Sequence, residues 1–454
     1  MSAIMIQGTA SSVGKSLLCT ALCRIWARRG LRVAPFKSQN MSLNAGATPD
    51  GGEIGRAQIA QAEAARVRPH VDMNPILLKP ESATGSQVVV LGRVVGSMHF
   101  SDYRRNNREL REIVGSAFDR LHSAHDLVVI EGAGSPAEIN LREGELVNMW
   151  MAERAHAPVV LVADIERGGA LAAIVGTLEL LQPDERARVK ALVINKFRGD
   201  RSFFADGVAL LAKRTGIPVA GVVPHLGDTR IASEDSLELR DSPGDVVIVN
   251  LPHLSNFDEF DGLGARFVDD PAAIAGASLV IVPGTKCTID DLSWMRSRGL
   301  ADAIAARARA GGRVHGICGG YQILGARIVD PEGIESRERE VAGLGLLPVT
   351  TTYARDKITE EVRVRLIDGG ERDGYEIHCG RVTRHGGQPF ATVVRRGMRV
   401  VEEAEGCVAG SVSGTIVHGL YQLRDEAGRD RYDALADHFE AALDMRLIDR
   451  LVNL

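Results

Sequence analysis

Residues 8–16 read GTASSVGKS, and they stand between an apolar run, AIMIQ at 3–7, and a helix-like stretch, KSLLCTALCRIWARRG at 15–30. A loop that cradles phosphate needs glycines where the backbone turns tightly, then Lys and Ser or Thr where a helix begins. Gly14, Lys15 and Ser16 supply that ending, and the opening glycine sits one place further out than usual, at Gly8. The backbone amides of Gly8, Thr9, Ser12, Val13 and Gly14 form the candidate cradle, reinforced by the positive end of the helix. Lys15 is placed to reach the terminal phosphates and the Ser16 hydroxyl to ligate Mg²⁺, so ATP and Mg²⁺ are the expected cofactors. A Gly/Ser-rich turn that bound nothing would need no Lys-Ser pair at that point.

The chain around this loop alternates in the way such a loop requires. Apolar, β-rich runs recur at AIMIQGT, LRVAPFK, LVVIEGA, PVVLVAD, VKALVINK and PVAGVVP, and helix-like stretches separate most of them. Strands buried on both faces read as continuous apolar runs, and their alternation with helices implies a parallel, doubly wound α/β sheet. Ligands of such sheets bind at the carboxyl ends of the strands. Glu131 in VVIEGAG is there the candidate second Mg²⁺ ligand, with Glu53 a further acidic candidate. Lys37 in PFKSQNMS is the candidate charge for a transferring phosphoryl group, and Asn195, next to Lys196, is placed to contact a base.

At 454 residues the chain is too long for one core, and the pattern breaks near LELRDSPGD. The expected division is a synthetase domain over 1–243 and a second α/β domain over 244–454, opening with VVIVNLP, LVIVPGT and GGRVHGIC and richer in strands from EEVRVRLID onward. Composition is that of an ordinary soluble protein, 45% hydrophobic and 25% charged, with a net charge of −5. No basic block suggests nucleic acid, and no apolar run reaches the roughly 20 residues of a membrane span. The opening residues lack the basic region of a secretory leader, and the six cysteines form no dense framework, so a cytoplasmic setting with reduced thiols is expected. Cys19 and Cys23, four apart, read as two buried helix cysteines.

The second domain carries its own chemical signal in GICGGYQILG, 316–325. Gly316, Cys318 and Gly320 have the small-x-nucleophile-x-small form of a sharp strand-to-helix elbow. The helix that follows favours the thiolate, and the Gly319 N–H faces a developing oxyanion, with a second donor expected from Gly284 in VPGT. His418 in TIVHGLYQ is the candidate base. The position two after it, where many glutamine amidotransferases carry Glu, is Leu420. No third member of a triad is visible; Asp425 and Glu426 are merely near, and a weaker glutaminase is the expectation.

Taken in order, QGTASSVGKS, PFKSQNMSLN, GRAQ, VDMNPILLKP, GSQVVVLGRVVG, VIEGAGSPAEINL, LSNFDEFD, PGTK, GICGGYQILG, YEIHCG and VHGLYQ resemble the glutamine-hydrolysing cobyric acid synthase family of cobalamin biosynthesis over nearly the whole chain. The resemblance implies a dethiobiotin synthetase-like P-loop domain joined to a class I glutamine amidotransferase-like domain. It implies amidation of the b, d, e and g carboxylates of adenosylcobyrinic acid a,c-diamide, by ammonia from glutamine attacking acyl phosphates. It implies substrate contacts from Gln39, Asn40, Asn74, Lys79 and Asp164, and a partly basic corrinoid surface to which Arg56 and Arg93 are further candidates. The relative that amidates positions a and c shares the architecture but lacks QNMSLN and DMNPILLKP, and is the runner-up. From another class, P-loop domains of this kind also serve as ATP-driven switches; Cys318 and His418 speak against that. Cys287 in GTKCT is a mild departure from the family pattern. Corrinoid and glutamine are the expected partners, with no nucleic acid and no membrane; the sequence is silent on oligomeric state.

Overall fold

The computed structural model describes residues 2–81, 85–99, 107–142, 144–227, 231, 244–261, 263–421 and 431–454. The six apolar runs of the first half become the six strands of one parallel sheet, in the order Val219–Pro224, Val189–Phe197, Val159–Asp164, Ser2–Gly8, Leu127–Glu131, Val33–Phe36. Ser2–Gly8 lies inside the sheet, where Ile4, Met5 and Ile6 are fully buried. That burial on both faces is what the unbroken apolar run encodes. The helix Lys15–Arg28 covers one face with Leu18, Leu22, Ile25 and Trp26.

Between the second and third strands of the sequence, the chain builds an annex. Gln39–Met41, Ile76–Pro80, Gly85–Val90 and Arg93–His99 form a four-stranded sheet, and Ala45–Ala47 pairs with Glu53–Gly55 as a short hairpin. This annex holds the QNMSLN and DMNPILLKP stretches and faces the second domain. There Ala45, Ala47, Leu77 and Val89 form one apolar cluster with Tyr375 and Ile377.

The second domain has a parallel sheet ordered Arg266–Val268, Val246–Val249, Leu279–Val282, Arg313–Ile317, Val412–Thr415, with Cys407–Ala409 antiparallel at its edge. A largely antiparallel sheet around the long strands Val349–Leu366 and Glu371–Arg384 accounts for the strand-rich end. The boundary expected at 243 lies outside the described residues.

At the end of the extent expected for that domain, 244–454, the chain crosses back over the interface. Helices Arg431–Glu440 and Met445–Leu451 return to the first domain. Tyr432, Leu435, Ala436, Phe439 and Ile448 join the core cluster of Ile25 and Trp26. Arg24 bonds Asp433 through two nitrogens at 2.8 and 3.0 Å, and Trp26 Nε1 donates to Asp449 at 3.0 Å. The helix Lys15–Arg28 is apolar on its outer face as well, and an amphipathic partner must cover that face. The last helices of the chain are that partner.

Candidate active site

The phosphate loop is shaped by close packing. A Cβ on Gly8 would stand 2.6 Å from Val13 Cγ2, and Gly14, at φ +97°, would push a Cβ to within 2.1 Å of Asn195 Nδ2. Both positions therefore exclude side chains. Lys15 folds back so that Nζ donates to the Ala10 carbonyl at 3.0 Å, and the Thr9 N–H donates to Val162 O at 2.9 Å. Asn195 Nδ2 donates to Val13 O at 2.8 Å and Lys196 Nζ to Ser12 O at 2.7 Å. Asn195 thus braces the loop through its amide nitrogen, at the strand end where a base contact was expected of it.

Glu131 is the hub beside the loop. Its carboxylate accepts from Ser16 Oγ at 2.7 Å and from Lys37 Nζ at 3.0 Å, and also from Gln61. Burial opposes its charge, yet Lys37 and the Ser16 and Gln61 hydrogen bonds hold its pKa below the usual value. Ser16 and Glu131, the two residues expected to offer oxygens to a cation, lie in direct contact. Glu53 does not join it: its two oxygens are taken by Lys79, at 2.7 Å, and by Lys357 of the second domain. Burial works against that charge too, but the two ammonium groups bring Glu53 down to about 2, while burial pulls Lys79 down to about 8.

A cavity of about 420 Å³ opens beside Lys15 and Lys37 and is lined by Gln39, Met41, Leu141 and Arg142 among others. Of the five residues expected at the substrate, Gln39 lines it. Asn40 is buried and donates to Gln58 at 2.9 Å, and Asn74 brackets Gly55, Lys37 and Ile76 through backbone groups. Asp164 pairs with Lys196 at 2.8 Å. Lys79 faces the other pocket. Arg56, partly buried and paired with Asp258 of the second domain at 2.9 Å, lies at the seam between the domains, whereas Arg93 is exposed.

The thiol sits where the elbow reading put it. Arg313–Ile317 runs straight into the helix Gly319–Leu324, and Cys318 between them is held at φ 48°. A non-glycine residue with positive φ is strained, and such strain clusters at functional positions. The neighbours must be small: a Cβ on Gly320 would lie 1.9 Å from Val282 O, and one on Gly316 2.7 Å from Tyr321 Cα. His418 is fully buried beside the thiol, and a Cβ on Gly284 would strike its ring at 2.7 Å. Gly284 accordingly makes room for the imidazole and does not line the thiol pocket, whereas Gly319 does.

The missing acid is Glu259. Its Oε1 accepts from His418 Nδ1 at 2.8 Å and its Oε2 from the Gly419 N–H at 2.9 Å. Asp425 and Glu426 lie outside the described residues. With Nδ1 committed to Glu259, the other ring nitrogen is left for the thiol. Burial alone would lower the pKa of His418, but Glu259 and Cys318 together raise it to about 10. Tyr375 stacks on the imidazole, with ring centroids 5.4 Å apart. Glu259 lay in the quoted LSNFDEFD; a template fixed at two residues after the histidine could not find it, because the carboxylate reaches His418 across 159 residues of sequence. The pocket around Cys318, about 80 Å³, also touches Lys79 and Gln87 of the annex.

A phosphate loop on one sheet and a Cys-His-Glu triad on another define a glutamine-dependent amide-forming ligase. Residues 4–238 match the CobQ/CobB/MinD/ParA nucleotide binding domain, and residues 245–426 the CobB/CobQ-like glutamine amidotransferase domain, which stops short of the returning helices. The chain is 51% identical to cobyric acid synthase of Sorangium cellulosum over 99% of this chain and 98% of that one. Against cobyric acid synthase of Dehalococcoides mccartyi the figures are 43%, 99% and 98%, and against that of Moorella thermoacetica 48%, 92% and 86%. The chain belongs to the cobyric acid synthase family. No helix among the described residues is long and apolar enough to cross a membrane.

Proposed function

We propose that the chain amidates the b, d, e and g side chains of adenosylcobyrinic acid a,c-diamide, with ATP and glutamine as co-substrates, in the cytoplasm. The observation that carries this is the cavity beside Lys15 and Lys37. Its polar end lies at the phosphate loop, and Met41 and Leu141, both exposed, give it an apolar side suited to a flat macrocycle. Arg142, Lys15 and Lys37 supply positive charge to carboxylates.

The residues fit a divalent cation. Ser16 Oγ and Glu131 offer oxygen ligands, and nearby Gln61 Oε1 and Asn40 Oδ1 are buried with no hydrogen-bond partner among the described residues. A Mg²⁺ held there would neutralise phosphate charge. Lys15 and Lys37 stabilise the phosphoryl group as it passes to a substrate carboxylate, which turns a poor leaving group into phosphate. At the second site Cys318 Sγ attacks the carboxamide carbon of glutamine, and His418 gives its proton to the departing ammonia. Water then cleaves the thioester, with His418 taking a proton and Glu259 holding the ring. The ammonia attacks the acyl phosphate, forming the amide and releasing phosphate.

The test is incubation with MgATP, glutamine and either cobyrinic acid or its a,c-diamide, with mass spectrometry counting the amides gained. The expected result is stepwise conversion of the a,c-diamide to the b, d, e, g product. Amidation confined to positions a and c would replace this reading with that of the a,c-amidating relative. Hydrolysis of ATP with no amide formed on either corrinoid would reject both.

A further inference from the structure

The triad acid is not held by its own domain alone. Glu259 lies on the short turn Phe257–Phe260, entered through Asn256 in a left-handed conformation, φ 55°. The Asn256 N–H donates to Asn44 Oδ1 at 2.7 Å, and the Ala45 N–H donates back to Asn256 Oδ1 at 2.9 Å. Both Asn44 and Ala45 belong to the annex of the first domain. Asp258, next to Glu259, accepts from Arg56 Nε at 2.9 Å. The same guanidinium lies 5.6 Å from the centre of the Tyr375 ring, which stacks on His418. One arginine of the synthetase domain therefore grips both supports of the imidazole: the turn that carries its acid and the ring against its face.

Arg56 also opens the nine-residue helix Arg56–Ala64, and two side chains of that helix reach the other site. Gln61 Nε2 donates to Glu131, and Gln58 Nε2 lies 3.5 Å from it. Glu131 in turn holds Ser16 and Lys37. The helix is one element that touches the cation-and-phosphate site through Gln58 and Gln61 and the histidine supports through Arg56 at its start.

We propose that Arg56 is a positioning residue for the Cys318–His418–Glu259 triad, and that the helix it opens makes glutamine hydrolysis depend on the state of the Ser16–Glu131 site. The inference rests on the reading of Cys318 as glutaminase nucleophile given above. Its physical basis is that an imidazole turned away from its acid loses both tautomer and aim, and that misplacement by a fraction of an ångström is costly at a reacting centre. A guanidinium suits the task because it pairs with a carboxylate and lies flat on an aromatic ring at once, which an ammonium group cannot do.

The test measures amide formation by the full chain with glutamine or with ammonium chloride as nitrogen source, and glutamine hydrolysis with and without MgATP. Arg56→Met is expected to lower glutamine-dependent kcat roughly 10- to 100-fold, with the KM for glutamine and the ammonia-dependent rate changed by less than about twofold. The response of glutamine hydrolysis to MgATP should vanish with it. Arg56→Lys, which keeps a charge opposite Asp258 but not a plane over Tyr375, should fall between the two. Equal losses with both nitrogen sources would reduce Arg56 to a bolt between domains and overturn the proposal, as would an unchanged glutamine-dependent rate. Asp258→Asn removes the same pair from the other side and gives the same reading should Arg56→Met fail to fold. Cys318→Ala run alongside separates the two ideas. If it still uses glutamine, the nucleophile assignment falls and the inference falls with it; if it does not, while Arg56→Met behaves as the parent, the inference alone is overturned.

Discussion

Around Lys15 the charged partners Lys37 and Glu131 arrive at the ends of strands in a single sheet; around Cys318 the acid arrives on a turn pinned by a different domain. The first site combines Lys15, Lys37, Glu131 and Asn195, which follow or end the strands Ser2–Gly8, Val33–Phe36, Leu127–Glu131 and Val189–Phe197. Parallel packing alone brings such residues together, because all the strands point the same way. The second site draws Cys318 and His418 from adjacent strands of one sheet, but Glu259 from a turn whose entry is fixed by Asn44 and whose neighbour is fixed by Arg56. A site made from one sheet is complete when the sheet folds. A site that borrows a support across an interface is complete only when the two domains are seated; under the proposal made above for Arg56, that seating keeps glutamine hydrolysis in step with carboxylate activation.

The comparison breaks most sharply at the nucleophile. Cys318→Ser should lower glutamine-dependent amidation by about 10⁴-fold or more while sparing ammonia-dependent amidation, since loss of a nucleophile removes covalent catalysis outright. Parallel assays with the two nitrogen sources decide it, and residual use of glutamine near the parent rate would reject the assignment. Lys15→Ala acts on the site both routes share. It should cost roughly 10²- to 10³-fold with either nitrogen source, measured as ADP release and amide formed. An ammonia-dependent rate near that of the parent would remove Lys15 from phosphoryl transfer.

Glu259→Gln tests the borrowed acid. Glutamine-dependent kcat should fall by about 10²-fold with ammonia-dependent turnover preserved. The same variant has a signature in stability. His418 is raised from 6.5 to about 10 in the folded chain, so its ion pair stabilises fully below the unfolded value and loses that contribution as pH climbs through the folded one. Denaturant unfolding should therefore show a decline between about pH 6.5 and 10 in the parent, and Glu259→Gln should flatten it. An identical pH dependence in both chains would mean that Glu259 does not hold the imidazolium. The smallest effect belongs to the returning helices. Asp433→Ala leaves the buried Arg24 without its bidentate partner and should cost about 2 kcal/mol in denaturant unfolding, because a stranded buried charge is expensive even when its partner was partly exposed. Unchanged stability would show that the apolar contacts of Tyr432, Leu435 and Phe439 alone hold the chain end in place.

Much of this protein is legible in local sequence. The six apolar runs are the six strands of the first sheet, because strands covered on both faces leave no room for polar alternation. GTASSVGKS and GICGGYQILG also read correctly as turns, because tight backbone geometry demands glycine at fixed offsets. Other features were not legible, and for one reason: each depends on which surfaces meet. Asn195 and Lys196 look like ligand contacts at a strand end, and the sequence did not show that they also reach the carbonyls of the loop itself. Glu53 and Lys79 look like a metal ligand and a substrate contact, and they find each other and Lys357 instead.

The sequence by itself determined two α/β units, a phosphate loop at Lys15 and a strained thiol at Cys318, since these follow from periodicity and from glycines at short range. Only the tertiary structure decided that the last two helices cover the first domain, that Glu259 supplies the acid which Leu420 does not, and that Arg56 joins the supports of His418 to the helix that touches Glu131. Hydrogen bonds and ion pairs between residues tens or hundreds apart in sequence leave no period to read; they exist once packing has chosen which faces are buried against each other, and burial then favours a partner for the polar groups left at the seam.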